Sequence, residues 1–312
     1  MHAIEIQGLS KNYAVGFWKK QQRPALKPLI LTVEAGETFG FLGPNGAGKT
    51  TTLKLLMGII FPTEGSATIL GKSFHDPEVK KKIGFLPEQP YFYDYLSAPE
   101  LLDYYAQLSG MPAAERKHRI GSLLERVGLG DVGSKQLRKF SKGMMQRVGI
   151  AQAIIHDPEV VFLDEPMSGL DPLGRHEIRE MIQELKDAGK TVFFSTHILS
   201  DAEALCDRVA VIHKGELRGI GVVNDLRASV AGKSEVIWQN AQALAAVSSL
   251  LAESHVAGDT VRATVAQGNL DSLLEALRQQ RAALVSVTPL HGTLEEYFLS
   301  KTSEPEKEPA QV

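Results

Sequence analysis

The sequence predicts an α/β chain: a core built on a mostly parallel sheet with an antiparallel β edge and an inserted helical subdomain, followed by a small α+β domain. Three observations carry that expectation. Short apolar runs, TFGFLG (38–43), VVFLD (160–164) and TVFFST (191–196), alternate with helix-patterned stretches, and strands that alternate with helices form parallel sheets. The stretch from about 89 to 157 is mainly helical and interrupts the alternation. After about 222 the order becomes β-α-β-β-α-β, which suits one small separate sheet with its helices.

Taken in order, residues 3–8 and 29–33 alternate or run apolar in strand fashion, and TFGFLG is a short strand ending in glycine. A helix pattern covers 50–60, and PTEG (62–65) is a turn before the strand-like SATIL. Within the helical block lie APELLDYYAQLSG, AAERKHRIGSLLERVGL and a run that opens FSKGM. PLGRHEIREMIQELKDAG separates the strands VVFLD and TVFFST, and RVAVIHKGEL (208–217) closes the region as a hairpin with a Lys-Gly turn. The second domain reads SEVIWQN, a helix over AQALAAVSSLLAE, SHVAGDTVRATV turning at Gly-Asp, the helix LDSLLEALRQQ and the strand ALVSVTPL. Domain bounds follow at 1–222 and 223–300, with a charged, proline-bearing tail over 301–312 that composition marks as disordered.

At 312 residues the chain has room for about two domains of ordinary size. Its single cysteine, Cys206, has no partner for an intramolecular bridge, which fits a reducing compartment. A formal charge of −3 supplies no basic field, so no nucleic-acid partner is expected. No stretch of about 18 apolar residues is present, and MHAIEIQGLSKNY has no basic region leading into an apolar core. The expectation is a cytoplasmic chain; any action at a membrane would need another polypeptide to supply the membrane part.

GPNGAGKTT (43–51) matches G-x-x-x-x-G-K-[ST] between an apolar strand and a helix pattern. Only backbone without Cβ wraps its N–H groups around phosphate oxygens. Gly43, Pro44, Asn45, Gly46, Ala47, Gly48, Lys49, Thr50 and Thr51 are therefore expected to hold a nucleotide. Lys49 would reach the β- and γ-phosphates and Thr50 would ligate Mg²⁺. VVFLDEP (160–166) puts two carboxylates at the carboxyl end of a buried strand, where open α/β sheets bind ligands. Asp164 would organise the Mg²⁺ shell and Glu165 would polarise the attacking water. His197 ends TVFFSTH; a lone histidine there is more often structural, but beside this site it would touch the γ-phosphate and hold the water in register with Glu165. FSKGM (140–144) opens a second glycine-bearing helix with a serine at its cap, itself an anion site.

Together these motifs resemble one family closely, the ATP-binding-cassette ATPases. GPNGAGKTT and VVFLDEP look like its two phosphate motifs, FSKGM stands at its signature, SGLD (168–171) matches its D-loop and His197 its switch histidine. The resemblance covers about 1–222 and implies ATP and Mg²⁺ as ligands, hydrolysis, and two cassettes meeting head to tail. By that analogy Ser141 and the Gly143 N–H bind the γ-phosphate held on the partner's Lys49, and Asp171 lies along the dimer contact. Three departures stand out. Lys142 and Met144 occupy the third and fifth signature places, so the usual glutamine is missing. In FLPEQPYFYDYLS, counting back from Leu96 places Glu88 at the usual Q-loop glutamine, with Gln89 beside it; either reaches the metal or the water. An insertion follows Tyr13, which matches the aromatic that stacks on adenine, and Phe17 or Trp18 competes for that role.

A cassette without membrane spans looks like one transporter subunit working with a second cassette, identical by expectation, and with separate permease subunits at the cytoplasmic membrane face. The segment ending GTLEEYFLSKT resembles the branch serving export-type partners. Tyr91, Phe92 and Tyr93 lie at the Q-loop, either docking a permease helix or packing the helical subdomain. FWKK (17–20) reads as a solvated loop before a membrane contact. Two other classes stay open: a mechanotransmitting cassette, and a soluble cassette acting on nucleic acid or ribosomes.

Overall fold

The computed structural model describes residues 1–16, 21–230, 232–290 and 292–302; Phe17, Trp18, the rest of FWKK and the tail from Ser303 lie outside them. The chain divides between Gly221 and Val222 into two units. In the first, β1 (His2–Val15) and β2 (Gln21–Glu34) form a long antiparallel pair. Alternate residues Ile4, Ile6, Leu29, Leu31 and Val33 point into the core, the period-two pattern of a sheet with one face buried. β2 also carries Pro24 and Pro28, which only an edge strand tolerates. Next come β3 (Thr38–Leu42), the phosphate loop and α1 (Lys49–Leu56). β4 (Glu64–Ile69), β5 (Lys72–Ser73), α2 (Pro77–Lys80) and β6 (Ile83–Leu86) follow. The helical insertion is α3 (Ala98–Leu108), α4 (Ala113–Arg126) and α5 (Lys142–Ile154). β7 (Val160–Asp164), α6 (Pro172–Asp187), β8 (Thr191–Thr196), α7 (Leu199–Leu205), β9 (Arg208–His213) and β10 (Glu216–Val222) complete the unit.

Two sheets result, β2-β1-β4-β5, all antiparallel, and β10-β9-β3-β8-β7-β6, parallel from β9 to β6. The second is buried on both faces. Phe162 and Phe193 join α1 and the antiparallel sheet in one cluster. Their neighbours Val161, Leu163, Val192 and Phe194 join α5 and α6 in the other. That double burial makes the strands read as continuous apolar runs. It also leaves the polar ends of β3, β7 and β8 at one edge, around the phosphate loop.

β6, like the two-residue β5, is a strand that sequence reasoning missed. Four residues with a glycine among them carry little pattern, yet Gly84 is required: a Cβ there would stand 2.1 Å from the Ala153 carbonyl oxygen on α5.

The second unit contains α8 (Val223–Val230), β11 (Lys233–Gln239), α9 (Leu244–Val247), β12 (Leu251–Ala257), β13 (Thr260–Ala266), α10 (Leu270–Gln279), β14 (Ala283–Leu290) and α11 (Leu294–Thr302). Its sheet runs β12-β13-β11-β14, antiparallel throughout, over a core of Val236, Trp238, Val261, Val265, Leu273 and Leu277. The predicted helix over 241–253 is shorter: α9 is flanked by 3-10 turns, and Leu251 to Glu253 pair into β12. The helices α8 and α11 were not anticipated as elements. The fold class otherwise agrees with expectation.

Candidate functional site

The phosphate loop is held open by contacts that leave no room for side chains. A Cβ on Gly43 would stand 2.4 Å from the Ile212 carbonyl oxygen, and one on Gly48 would stand 2.8 Å from that of Ala25. Gly48 also has φ +111°, a conformation that L side chains avoid. The turn Lys214-Gly215 of the β9–β10 hairpin closes on the loop from behind, Gly215 N–H donating to the Ala47 carbonyl at 2.8 Å. These constraints leave a cleft of about 230 Å³ lined by Ala25, Asn45, Gly46, Gly48, Lys49, Thr50, Thr51, Glu88 and Glu165.

Lys49 is only 5% exposed. Its ammonium donates to the carbonyls of Gly43 at 2.6 Å and Pro44 at 3.3 Å, and lies 3.0 Å from Glu165 Oε1. That oxygen is buried, and the ammonium stands off its hydrogen-bonding direction, so Oε1 lacks an aligned donor. Glu165 Oε2 is 2.8 Å from His197 Nδ1. Glu165 has φ +49°, a left-handed backbone costing roughly 1–2 kcal/mol for a residue with a side chain. Its N–H holds that turn by donating to Ser195 Oγ at 3.1 Å and to the Ser195 carbonyl at 3.2 Å. Strain of this kind concentrates at functional positions.

Ser195 is the site residue that sequence reasoning missed. Its hydroxyl donates to Asp164 Oδ1 at 2.6 Å while accepting from the Glu165 backbone N–H, so one side chain on β8 holds the Asp164 carboxylate and the Glu165 backbone at the end of β7. A serine within TVFFST has no spacing that announces it. Thr50 Oγ1 donates to the same Asp164 oxygen at 3.3 Å. Burial pushes the Asp164 carboxyl above the usual range, the bonds from Ser195 and Thr50 work against that, and the nearby Glu88 and Glu165 carboxylates add to it.

The remaining predicted residues are distributed unevenly. Glu88 lines the cleft, whereas Gln89 does not; its amide oxygen accepts from the Tyr91 hydroxyl at 3.3 Å. Tyr13 lies at the end of the β1–β2 pair with Lys11 Nζ 5.3 Å from its ring centroid. Ser141 caps α5 by accepting from Met144 N–H at 3.3 Å, and Asp171 caps α6 by accepting from Gly174 N–H at 2.9 Å. Neither they nor Gly143 line the cleft of their own chain. The aromatic stretch splits: Tyr91 is 90% exposed and Tyr93 is exposed, while Phe92 packs into the helical subdomain edge-on to Tyr105 at 6.3 Å.

The donor set suits a magnesium nucleotide. A loop that admits no Cβ at Gly43 or Gly48 surrounds a buried ammonium, and a hydroxyl and a carboxylate 3.3 Å apart are hard oxygen ligands. Fold and site together define a P-loop nucleotide-binding cassette with a second carboxylate and a histidine at the phosphate end.

A family model described as "ABC transporter" matches residues 26–168. An ABC transporter ATP-binding protein of Synechocystis, itself uncharacterized, is 46% identical over 305 residues, covering 97% of this chain and 85% of that one. The bacitracin transport ATP-binding protein BcrA of Bacillus licheniformis is 46% identical over 192 residues, 61% of this chain and 62% of its own. Among solved structures, the dimeric post-hydrolysis state of the cassette MJ0796 bound to ADP and Pi superposes with a TM-score of 0.64 at 26% identity, covering 70% of this chain and 98% of that one. The chain belongs to the ABC transporter ATP-binding proteins, and is thus an ATPase subunit that uses Mg-ATP. Among the described residues no helix is long and apolar enough to cross a membrane.

Proposed function

We propose that two copies of this chain close head to tail around two Mg-ATP and drive separate permease subunits at the cytoplasmic face of the membrane, in the direction of export. The observation that carries the dimer is the separation just described: Ser141 and Gly143 present a capped helix start away from the cleft of their own chain. Neither half is then complete alone. The export direction is supported by the resemblance of the segment ending GTLEEYFLSKT.

Within each site, Lys49 leaves Glu165 to hold the β- and γ-phosphates, and Ser141 with the Gly143 N–H binds the γ-phosphate from the opposing chain. Thr50, Asp164 and Glu88 would hold the metal, which would supply charge neutralisation at the phosphates. Glu165, freed of Lys49, accepts a proton from the attacking water, and His197 keeps Glu165 oriented through the 2.8 Å contact. Phosphoryl transfer needs mostly positioning and fixed charge, which the Ser195 clamp provides. Tyr13 stacks on the base, Asp171 lies along the dimer contact, and Tyr91 and Tyr93 dock a permease helix. Tyr91→Ala with Tyr93→Ala is expected to abolish coupled transport while sparing basal hydrolysis; unchanged transport in reconstituted vesicles would refute the docking role.

The decisive experiment purifies Glu165→Gln from membranes in mild detergent with ATP present and identifies its companions by mass spectrometry. A polytopic membrane protein at near-equal amount is the expected result. Recovery of ribosomal or DNA-bound material would overturn the permease assignment and leave the ATPase intact.

A further inference from the structure

We infer that Arg23 is a nucleotide-binding residue: a cation beside Tyr13 that draws the triphosphate of ATP to the mouth of the cleft. The inference rests on the nucleotide reading of that cleft. Tyr13 and Arg23 are directly opposed in the β1–β2 ladder, and the register is unbroken from Asn12↔Pro24 to Ala14↔Gln22. Opposed residues of an antiparallel pair project from one face with Cβ atoms about 5 Å apart. The arginine stem therefore starts alongside the tyrosine ring. Lys11, the other cation near Tyr13, is committed elsewhere, its ammonium donating to the Phe61 carbonyl at 2.6 Å.

The ladder also ties Arg23 to the phosphate loop. Between Leu26 and Pro24, β2 carries one residue more than β1, and that residue is Ala25. The bulge seats Ala25 in the cleft lining, with its carbonyl against Gly48. Arg23 stands two residues away, roughly 7 Å at the rise of a strand, a span that an extended arginine side chain covers.

Charge balance gives the arginine a purpose. Among the described residues, the cleft lining contains one cation, Lys49, against two carboxylates, Glu88 and Glu165. Lys49 is moreover already engaged by Glu165 Oε1 at 3.0 Å and by two carbonyls. A polyanion entering the cleft meets a lining with an excess of negative charge. Arg23 is exposed and takes part in no ion pair among the described residues. Its guanidinium is permanently charged and forked to suit phosphate oxygens.

The test measures Mg-ATP binding and steady-state hydrolysis by the purified full chain, as wild type, Arg23→Ala and Arg23→Lys. Arg23→Ala is expected to raise KM and Kd for ATP about tenfold with kcat within about twofold, because the attraction is equal in ground and transition states. Arg23→Lys should recover most of the affinity, and the gap between wild type and Arg23→Ala should narrow as salt screens the charge. Unchanged KM and Kd in Arg23→Ala overturns the inference. So does an equal loss of kcat in both variants at constant KM, which marks a structural role. If wild type itself binds no Mg-ATP and Lys49→Ala matches it, the nucleotide reading of the cleft fails first.

Discussion

The phosphate-loop cleft and the start of α5 both lie at a helix N-terminus, yet they are built in opposite ways. In the cleft each functional side chain is tied to another: Lys49 to Glu165, Glu165 to His197, Asp164 to Ser195 and Thr50. At α5, Ser141 is exposed and bonds only within its own first turn, which carries no acidic residue. A buried, interlinked site can be preorganised by its own chain. An exposed helix start with its serine facing outward is organised by whatever closes over it. On the proposed dimer, the cleft would carry the chemistry and the start of α5 would carry the closing contact.

Breaking the interlinked side should give the largest effect. Glu165→Gln removes the proton acceptor while preserving shape, and kcat for ATP is expected to fall about 10²–10⁴-fold. ATP binding should persist and size-exclusion chromatography in Mg-ATP should show a dimer. A variant that stays monomeric under saturating Mg-ATP would contradict the head-to-tail arrangement.

The two regions can then be set against each other directly. Lys49→Ala disables the cleft and Ser141→Ala disables the helix start, so each variant alone should hydrolyse ATP poorly. Mixed in equal amounts, half of the dimers are hybrids, and each hybrid holds one intact pair from opposite chains. Recovery of about a quarter of wild-type activity is expected. No recovery would mean that each chain completes its site alone.

Ser195→Ala sharpens the comparison further, because it cuts the tie between the Asp164 carboxylate and the Glu165 backbone without touching either acidic side chain. The loss leaves Asp164 Oδ1 with Thr50 alone, at 3.3 Å, and withdraws one acceptor from Glu165 N–H. Losing a hydrogen bond to a carboxylate costs about 1.5–3 kcal/mol, read as a lower urea midpoint. Ser195→Cys, close in size but a weaker donor, should fall between. Equal stability of all three would remove the clamp.

How much of this was visible in the chain depends on whether the constraint is local. GPNGAGKTT was visible because glycines, lysine and threonine must be adjacent to wrap a phosphate. VVFLDEP was visible because double burial makes an apolar run that ends abruptly in acid. Ser195 was invisible, since its partners lie 30 and 31 residues away and meet it only through strand pairing. β6 escaped for the same reason: Ile83–Leu86 is strand because β7 and α5 enclose it, as Gly84 against Ala153 shows. The choice between Glu88 and Gln89 needed the side-chain direction, which neighbouring residues on an irregular loop do not reveal. The helix over 241–253 was overextended because LLAE suits either state until Leu251 pairs with Val265.

The smallest effect concerns the cost of keeping Asp164 buried for a metal. Burial raises its carboxyl above the ordinary value of 3.8, and neighbouring Glu88 and Glu165 push the same way. An acid whose folded pKa is raised binds more protons folded than unfolded between the two values. Its contribution to stability is therefore favourable at low pH and is lost as pH rises from the ordinary value through the raised one. As pH rises toward neutrality the nucleotide-free protein bears more of that penalty. Asp164→Asn keeps the shape and an acceptor for Ser195 and removes the charge, so nucleotide-free Tm at pH 7 is expected to rise by about 2–4 °C, corresponding to roughly 1 kcal/mol in a unit of this size. The gain should shrink as pH is lowered toward about 4, the direction in which a carboxyl with a raised pKa takes up its proton. Mg-ATP should reverse the order, stabilising wild type more than Asp164→Asn, because on the proposed function the carboxylate that burial disfavours is the one that holds the cation. Equal melting of the two proteins at both pH values would show that the burial carries no penalty.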